Sequence, residues 1–147
     1  MQNREFFWGT LATTFLLDLA AKFWVQKFLI VPREILPFLH FEFVENPYLA
    51  FGVELPRVLI VFLSLAALGL LGNIFVKNVR KSSKIGAVAF GMIFGGAAAN
   101  LAERIVFSRV TDFIALLSIP NFNLADTALT VGVALLLIFH SEIFRQN

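Results

Sequence analysis

Apolar residues gather in four long runs, separated by stretches where charge and proline return: Phe6 to about Ile30, Arg57 to about Val76, Ile85 to about Ala102, and Leu124 to about Phe139. A helix crossing a hydrocarbon core about 30 Å thick needs roughly 20 mostly apolar residues. The pattern therefore predicts four membrane-spanning helices in one integral-membrane domain covering 1–147. The first run imitates a secretory signal, with Arg4 ahead of an apolar stretch to Leu17. Its cleavage region would fall on Leu19-Ala20-Ala21-Lys22, however, and apolar residues resume at Phe23 and continue to Val31, so a retained span is expected.

The segments between the runs differ in kind. The loop 77–84 carries Lys77, Arg80, Lys81 and Lys84 without an acid, whereas 31–56 sets Arg33 against Glu34, Glu42, Glu45 and Glu54. The positive-inside rule makes 77–84 cytoplasmic, so that both termini are cytoplasmic and 31–56 and 103–123 face outward. Within 31–56, Phe38 to Val44 alternates partly, with Phe41 and Phe43 on one side and His40 and Glu42 on the other, which suggests a short strand. Pro32, Pro37, Pro47 and Pro56 cut the rest into extended pieces. The expected architecture is an all-α membrane protein: a four-transmembrane-helix bundle with a small extracytoplasmic β element on the membrane surface.

Composition agrees with lipid as the solvent: 59% of residues are hydrophobic, and the mean hydropathy is +0.82. A net charge of +2 offers no general case for nucleic-acid binding. The chain has no cysteine, which removes disulfides, thiolate catalysis and sulfur-ligated metal. His40 and His140 lie far apart without ligand-like spacing. Neither a metal nor another cofactor is expected.

The informative positions are therefore the polar groups at and within the runs. Asp18 and Lys22, four residues apart, share a helix face and can neutralise each other inside the first span, while Lys27 is close enough to the helix end to snorkel. Gly91 and Gly95 have GxxxG spacing, which lets helices approach closely. Asn100, Glu103 and Arg104 follow at i, i+3 and i+4 on the outward end of the third run. Arg104 is either an interfacial anchor or a cation that holds a carboxylate or polarises a carbonyl. Asn123 and Asp126 fit an N-cap and first-turn acid of the last helix. Asp112 could simply pair with Arg109. Yet Asn46, Asn100, Arg104, Asp112 and Asp126 are all assigned to one membrane face, which caps and single ion pairs do not explain.

Five motifs, in order, give the chain a resemblance to signal peptidase II, the bacterial lipoprotein signal peptidase family. They are Asp18-Leu19-Ala20-Ala21-Lys22, Glu45-Asn46-Pro47-Tyr48-Leu49-Ala50-Phe51-Gly52, the run from Gly95 to Arg104, Val110-Thr111-Asp112-Phe113-Ile114, and Phe122-Asn123-Leu124-Ala125-Asp126. The resemblance implies an intramembrane aspartic endopeptidase of the bacterial cytoplasmic membrane. It would cleave diacylglyceryl-modified prolipoproteins just before the lipidated cysteine, with membrane lipid around it and a monomer as the expected state. It places Asp112 and Asp126 as the catalytic pair, Asn46, Asn100, Arg104 and Asn123 as substrate-binding groups, and Asp18, Lys22 and Glu103 as supporting ones. Departures from the family pattern are Glu103 in place of an aspartate, Pro47-Tyr48-Leu49 in place of a glycine-containing turn, Ala99 in place of glycine, and a short Asp112–Asp126 connection. Two other readings are a catalytically silent relative that binds lipidated segments and a small proton- or cation-handling membrane subunit.

Overall fold

The computed structural model describes residues 3–48, 53–78 and 83–143. The stretch Leu49-Ala50-Phe51-Gly52 of the second motif, and Arg80 and Lys81 of the basic loop, lie outside these residues. Four long helices carry the apolar runs: α1 (Arg4–Phe28), α2 (Arg57–Asn78), α3 (Lys84–Phe107) and α4 (Leu124–Ile138), with a single-turn α5 (His140–Ile143) after the last. The strands are β1 (Arg33–Leu36), β2 (Leu39–Asn46) and β3 (Val110–Leu116), paired antiparallel in the order β1-β2-β3.

Among the described residues two helices, over Arg57–Val76 and Lys84–Phe107, are long and apolar enough to cross a membrane; α4 is apolar but has 15 residues. At 1.5 Å per residue, α4 alone is roughly 22 Å long. The charges of α1 separate it from these plainly apolar helices.

α3 is the hub. It lies between α1 and α4, and its Gly91 and Gly95 meet the backbone of α1 while Gly96 meets that of α4. A methyl group added at Gly95 would come within 2.6 Å of the Leu11 carbonyl oxygen, and one at Gly96 within 2.6 Å of that of Ala125. The glycine spacing thus does what small residues do between helices, which is to let backbones touch. At one end of the bundle Phe7, Ala87 and Phe90 form a core with Phe75 and Phe94 against it. At the other, Val25, Leu29 and Phe113 join the helices to the sheet.

The third strand corrects the expectation of a plain connection over 103–123 after a helix ending near Ala102. Instead α3 continues to Phe107. Ser108 then adopts a left-handed conformation (φ 64°), and the chain turns directly into β3. This reversal lays β3 back along the end of α3. The expected strand over 38–44 is β2, but its alternation does not hold. Phe41 pairs with Ile114 and Val44 with Asp112, so β2 has one more residue than β3 between these pairs. Phe41 packs towards Phe113 while Phe43 is exposed. A bulge of this kind reverses which side chains share a face.

Candidate active site

The bulge decides what stands beside Asp112. Regular pairing onward from Phe41–Ile114 would put Phe43 and Glu45 on the face of Asp112. With the extra residue, Val44 and Asn46 occupy that face. Asn46 Nδ2 donates to Asp112 Oδ2 at 2.7 Å, and Asn46 Oδ1 accepts the Tyr48 N–H at 3.0 Å. The second bond is an Asx turn, in which the side chain caps the backbone two residues on. Pro47 supplies no N–H, so the turn closes on Tyr48 and leaves the Asn46 amide aimed at the carboxylate.

Asp126 arrives from the opposite side. Asn123 caps α4 in a reciprocal capping box: Asn123 Oδ1 accepts the Asp126 N–H at 2.9 Å, and Asp126 Oδ2 accepts the Asn123 N–H at 3.2 Å. The remaining amide group of Asn123 donates to Asp112 Oδ1 at 2.7 Å. One buried residue therefore holds both carboxylates. Asn100 adds a second link, donating to Asp126 Oδ1 at 2.9 Å while its own oxygen accepts from Lys22 Nζ at 2.7 Å.

Under this pair lies a closed set of charges. Lys22 Nζ is 2.7 Å from Asp18 Oδ2 and 3.1 Å from Glu103 Oε2, and all three side chains are buried. Asp18 Oδ1 accepts the Ala125 N–H at 2.8 Å, one residue before Asp126. The bond anchors the start of α4 to α1. Such a cluster persists in an apolar surrounding because Lys22 pairs with both acids, while Asp18 Oδ1 and both Glu103 oxygens accept further hydrogen bonds.

The helix-cap reading of Asn123 and Asp126 holds, and the same Asn123 that caps α4 also reaches Asp112. The simple pairing of Asp112 with Arg109 does not occur, because Arg109 instead meets Glu45 at 2.8 Å. Asn46, Asn100 and Asn123 were expected to bind substrate. In the structure the amide nitrogen of each donates to one of the aspartates. Arg104 differs: it lies in the field of Asp126, Asp112 and Glu103, and its buried Nε has no hydrogen-bond partner among the described residues.

The two carboxyls occupy unlike surroundings. Asp112 is buried and Asp126 half-buried. Burial pushes the Asp112 carboxyl up to about 6, and the negative charge of Asp126 adds to the rise; hydrogen bonds from Asn46 and Asn123 and the charge of Lys22 oppose it. Asp126 stands in the first turn of α4, where the helix dipole attracts negative charge.

Two residues escaped the sequence reading. Gln26 lies four residues beyond Lys22 and donates to Glu103 Oε1 at 3.2 Å and to Thr111 Oγ1 at 2.7 Å. Its signal was present, because Asp18, Lys22 and Gln26 continue one helix face at i, i+4 and i+8. Thr111 gave none, being one short residue beside a conspicuous aspartate.

Comparison with known proteins decides the family. The family model for signal peptidase (SPase) II matches residues 10–142. The chain belongs to the signal peptidase II family. It is 38% identical to the lipoprotein signal peptidase of Syntrophomonas wolfei, over 90% of each chain. It is also 36% identical to that of Chlorobium luteolum, over 93% of this chain and 84% of the relative. The fold is similar to a bacterial membrane enzyme solved in meso at 2.3 Å, with a TM-score of 0.80 at 24% identity over 94% of this chain and 91% of that one. A second such enzyme, solved at 1.9 Å, gives 0.74 at 26% identity over 88% of each. Membership of signal peptidase II makes the chain an aspartic peptidase of a bacterial membrane and assigns it to prolipoprotein processing.

Proposed function

We propose that Asp112 and Asp126 are the catalytic pair of an endopeptidase that cleaves diacylglyceryl-modified prolipoproteins before the lipidated cysteine. The observation that carries this reading is Asn123, which donates to Asp112 while locked in a capping box with Asp126. It ties the two carboxyls into one unit, as acid–base chemistry on a shared substrate requires.

Asp126 acts as the base and Asp112 as the acid. Burial favours a proton on Asp112, whereas Asp126 is more open to water and sits at a helix start. Asp126 takes a proton from a water as its oxygen bonds to the scissile carbonyl carbon, and Asp112 gives its proton to the carbonyl oxygen. The resulting gem-diol collapses: one hydroxyl proton returns to Asp112, the C–N bond breaks, and Asp126 passes its proton to the leaving amine. Both aspartates end as they began. Arg104, with a buried N–H unpartnered among the described residues, binds a substrate carbonyl beside the pair.

The four long helices span the membrane, with both termini cytoplasmic and the sheet on the extracytoplasmic face. The basic residues Lys77 and Lys84 next to the loop, against the acids of β1 and β2, support this orientation. The Asp18–Lys22 charges are closed on internal partners, which takes away the motive for a proton or cation relay.

The test is cleavage of a diacylglyceryl-modified prolipoprotein by the wild type, Asp112→Asn and Asp126→Asn. Cleavage by the wild type alone is expected, with each variant at least about a thousandfold slower. Substantial activity in either variant would refute the dyad. A folded, substrate-binding but inactive wild type would instead favour the silent relative. Orientation is tested separately in this cysteine-free chain: Glu45→Cys should react with a membrane-impermeant thiol reagent from outside the cell, and Lys81→Cys only after lysis.

A further inference from the structure

Asp112 has two amides on its carboxylate, but the backbone that carries it needs its own support. β3 is an edge strand of the three-stranded sheet, paired with β2 on one side. Among the described residues, its other edge makes backbone hydrogen bonds to Phe122 at Phe113 and Ile114, and the Asn123 side chain reaches the Thr111 carbonyl oxygen at 3.4 Å. The Thr111 N–H, one residue before the aspartate, is on that outer side and buried, where a lost hydrogen bond is costly. Glu103 of α3 fills the vacancy: its Oε2 accepts the Thr111 N–H at 2.9 Å. A glutamate carboxylate thus does what a neighbouring strand would do.

The contact extends to the side chains. The Thr111 hydroxyl donates to Glu103 Oε1 at 2.8 Å and accepts from Gln26 Nε2 at 2.7 Å; Gln26 Nε2 also lies 3.2 Å from Glu103 Oε1. The hydroxyl direction is settled by chemistry, since the carboxylate can only accept and the amide nitrogen can only donate. Lys22 holds the other Glu103 oxygen. Three elements, α1, α3 and β3, therefore converge on one threonine.

The geometry points to Gln26 and Thr111 as positioning residues, which with Glu103 form a clamp that fixes the backbone of Asp112 against the dyad. The inference rests on Asp112 being catalytic. Neither side chain touches the reacting atoms. Their part is to hold the Asp112 carboxyl at the height where Asn123 links it to Asp126, so removing them should slow the chemical step and leave substrate binding unchanged.

Thr111→Val and Thr111→Ser separate this role from mere packing. Valine keeps the shape and loses the hydroxyl; serine keeps the hydroxyl and loses the methyl. In steady-state cleavage of a diacylglyceryl-modified prolipoprotein by the full detergent-solubilised chain, Thr111→Val should lower kcat about tenfold at unchanged KM. Thr111→Ser should stay within about twofold of the wild type. Gln26→Met should lower kcat a few-fold and add little on top of Thr111→Val, because both break the same bonded unit. Wild-type kcat in Thr111→Val, an equal loss in the valine and serine variants, or fully multiplicative losses from positions 26 and 111 would each overturn the clamp. Asp112→Asn is measured in parallel. If it is inactive while Thr111→Val turns over normally, the clamp alone fails; if it is active, the dyad fails and the clamp with it.

Discussion

α3 has two unlike flanks. Towards α1 and α4 it lies backbone on backbone, glycines against carbonyl oxygens, above a buried set of charges. Towards α2 it touches through side chains: Phe75 packs on Phe90 and Phe94 near one end, and Arg57 reaches the Ile105 carbonyl oxygen at the other. Along its apolar stretch α2 is almost wholly exposed, whereas most of α3 is buried. α2 is the more apolar helix and the less integrated one. In lipid, apolarity gives a helix no reason to leave its solvent; close packing and polar contacts do. The proposed dyad rests on the flank where these are concentrated.

The largest break in this contrast should come from Lys22→Met. The substitution leaves Asp18 and Glu103 buried without their cation, a change expected to cost about 3–5 kcal/mol. Thermal unfolding in detergent micelles measures it, and an unchanged Tm would show that the cluster carries no structural weight. A substitution of similar size on α2, such as Leu70→Met, should be close to neutral, because Leu70 is 65% exposed.

Next comes the pH dependence of Asp112. Its carboxyl is raised from the ordinary 3.8 to about 6 in the folded chain. Below about pH 4 both folded and unfolded states hold the proton. Between about pH 4 and 6 the unfolded state releases it first, so the folded state binds more protons and stability falls as pH rises. Above about 6 both are ionised, and the loss is complete, at most about 3 kcal/mol. Asp112→Asn should flatten this part of the stability profile. An identical slope in the variant would remove Asp112 as its source.

How much of this could be read from the chain follows the range of each interaction. Asp18–Lys22 and the Asn123–Asp126 cap are local, fixed by helical spacing, and both were legible. Gln26 is legible by the same rule, continuing that helix face. β3 was not recognised, because Val110–Leu116 is one short apolar run with a single acid, which periodicity does not distinguish from the end of a helix or a loop. The bulge that brings Asn46 rather than Glu45 to Asp112 has no local signature, since it exists only relative to β3. Glu103 presented itself as a departure within a motif. Its work, closing the edge of β3 at Thr111, required that strand to be known first.

The glycines sharpen the comparison of the flanks with the smallest possible change. Gly95→Ala and Gly96→Ala each place a methyl 2.6 Å from a backbone carbonyl oxygen, which cannot move without shifting α1 or α4, so about 1–3 kcal/mol of destabilisation is expected. Gly69→Ala on α2 places the same methyl where no atom lies within 4 Å. There the substitution meets no clash and reduces the freedom of the unfolded chain, so a gain of about 0.5–1 kcal/mol is expected. The sign of the effect, read as Tm under identical conditions, distinguishes the two flanks independently of catalysis. If Gly69→Ala destabilises as much as Gly95→Ala, α2 is packed more closely than its exposure shows, and the contrast between the flanks fails. If the signs differ while all three variants retain kcat, backbone contact sets the strength of the bundle and the polar links to Asp112 and Asp126 set its chemistry.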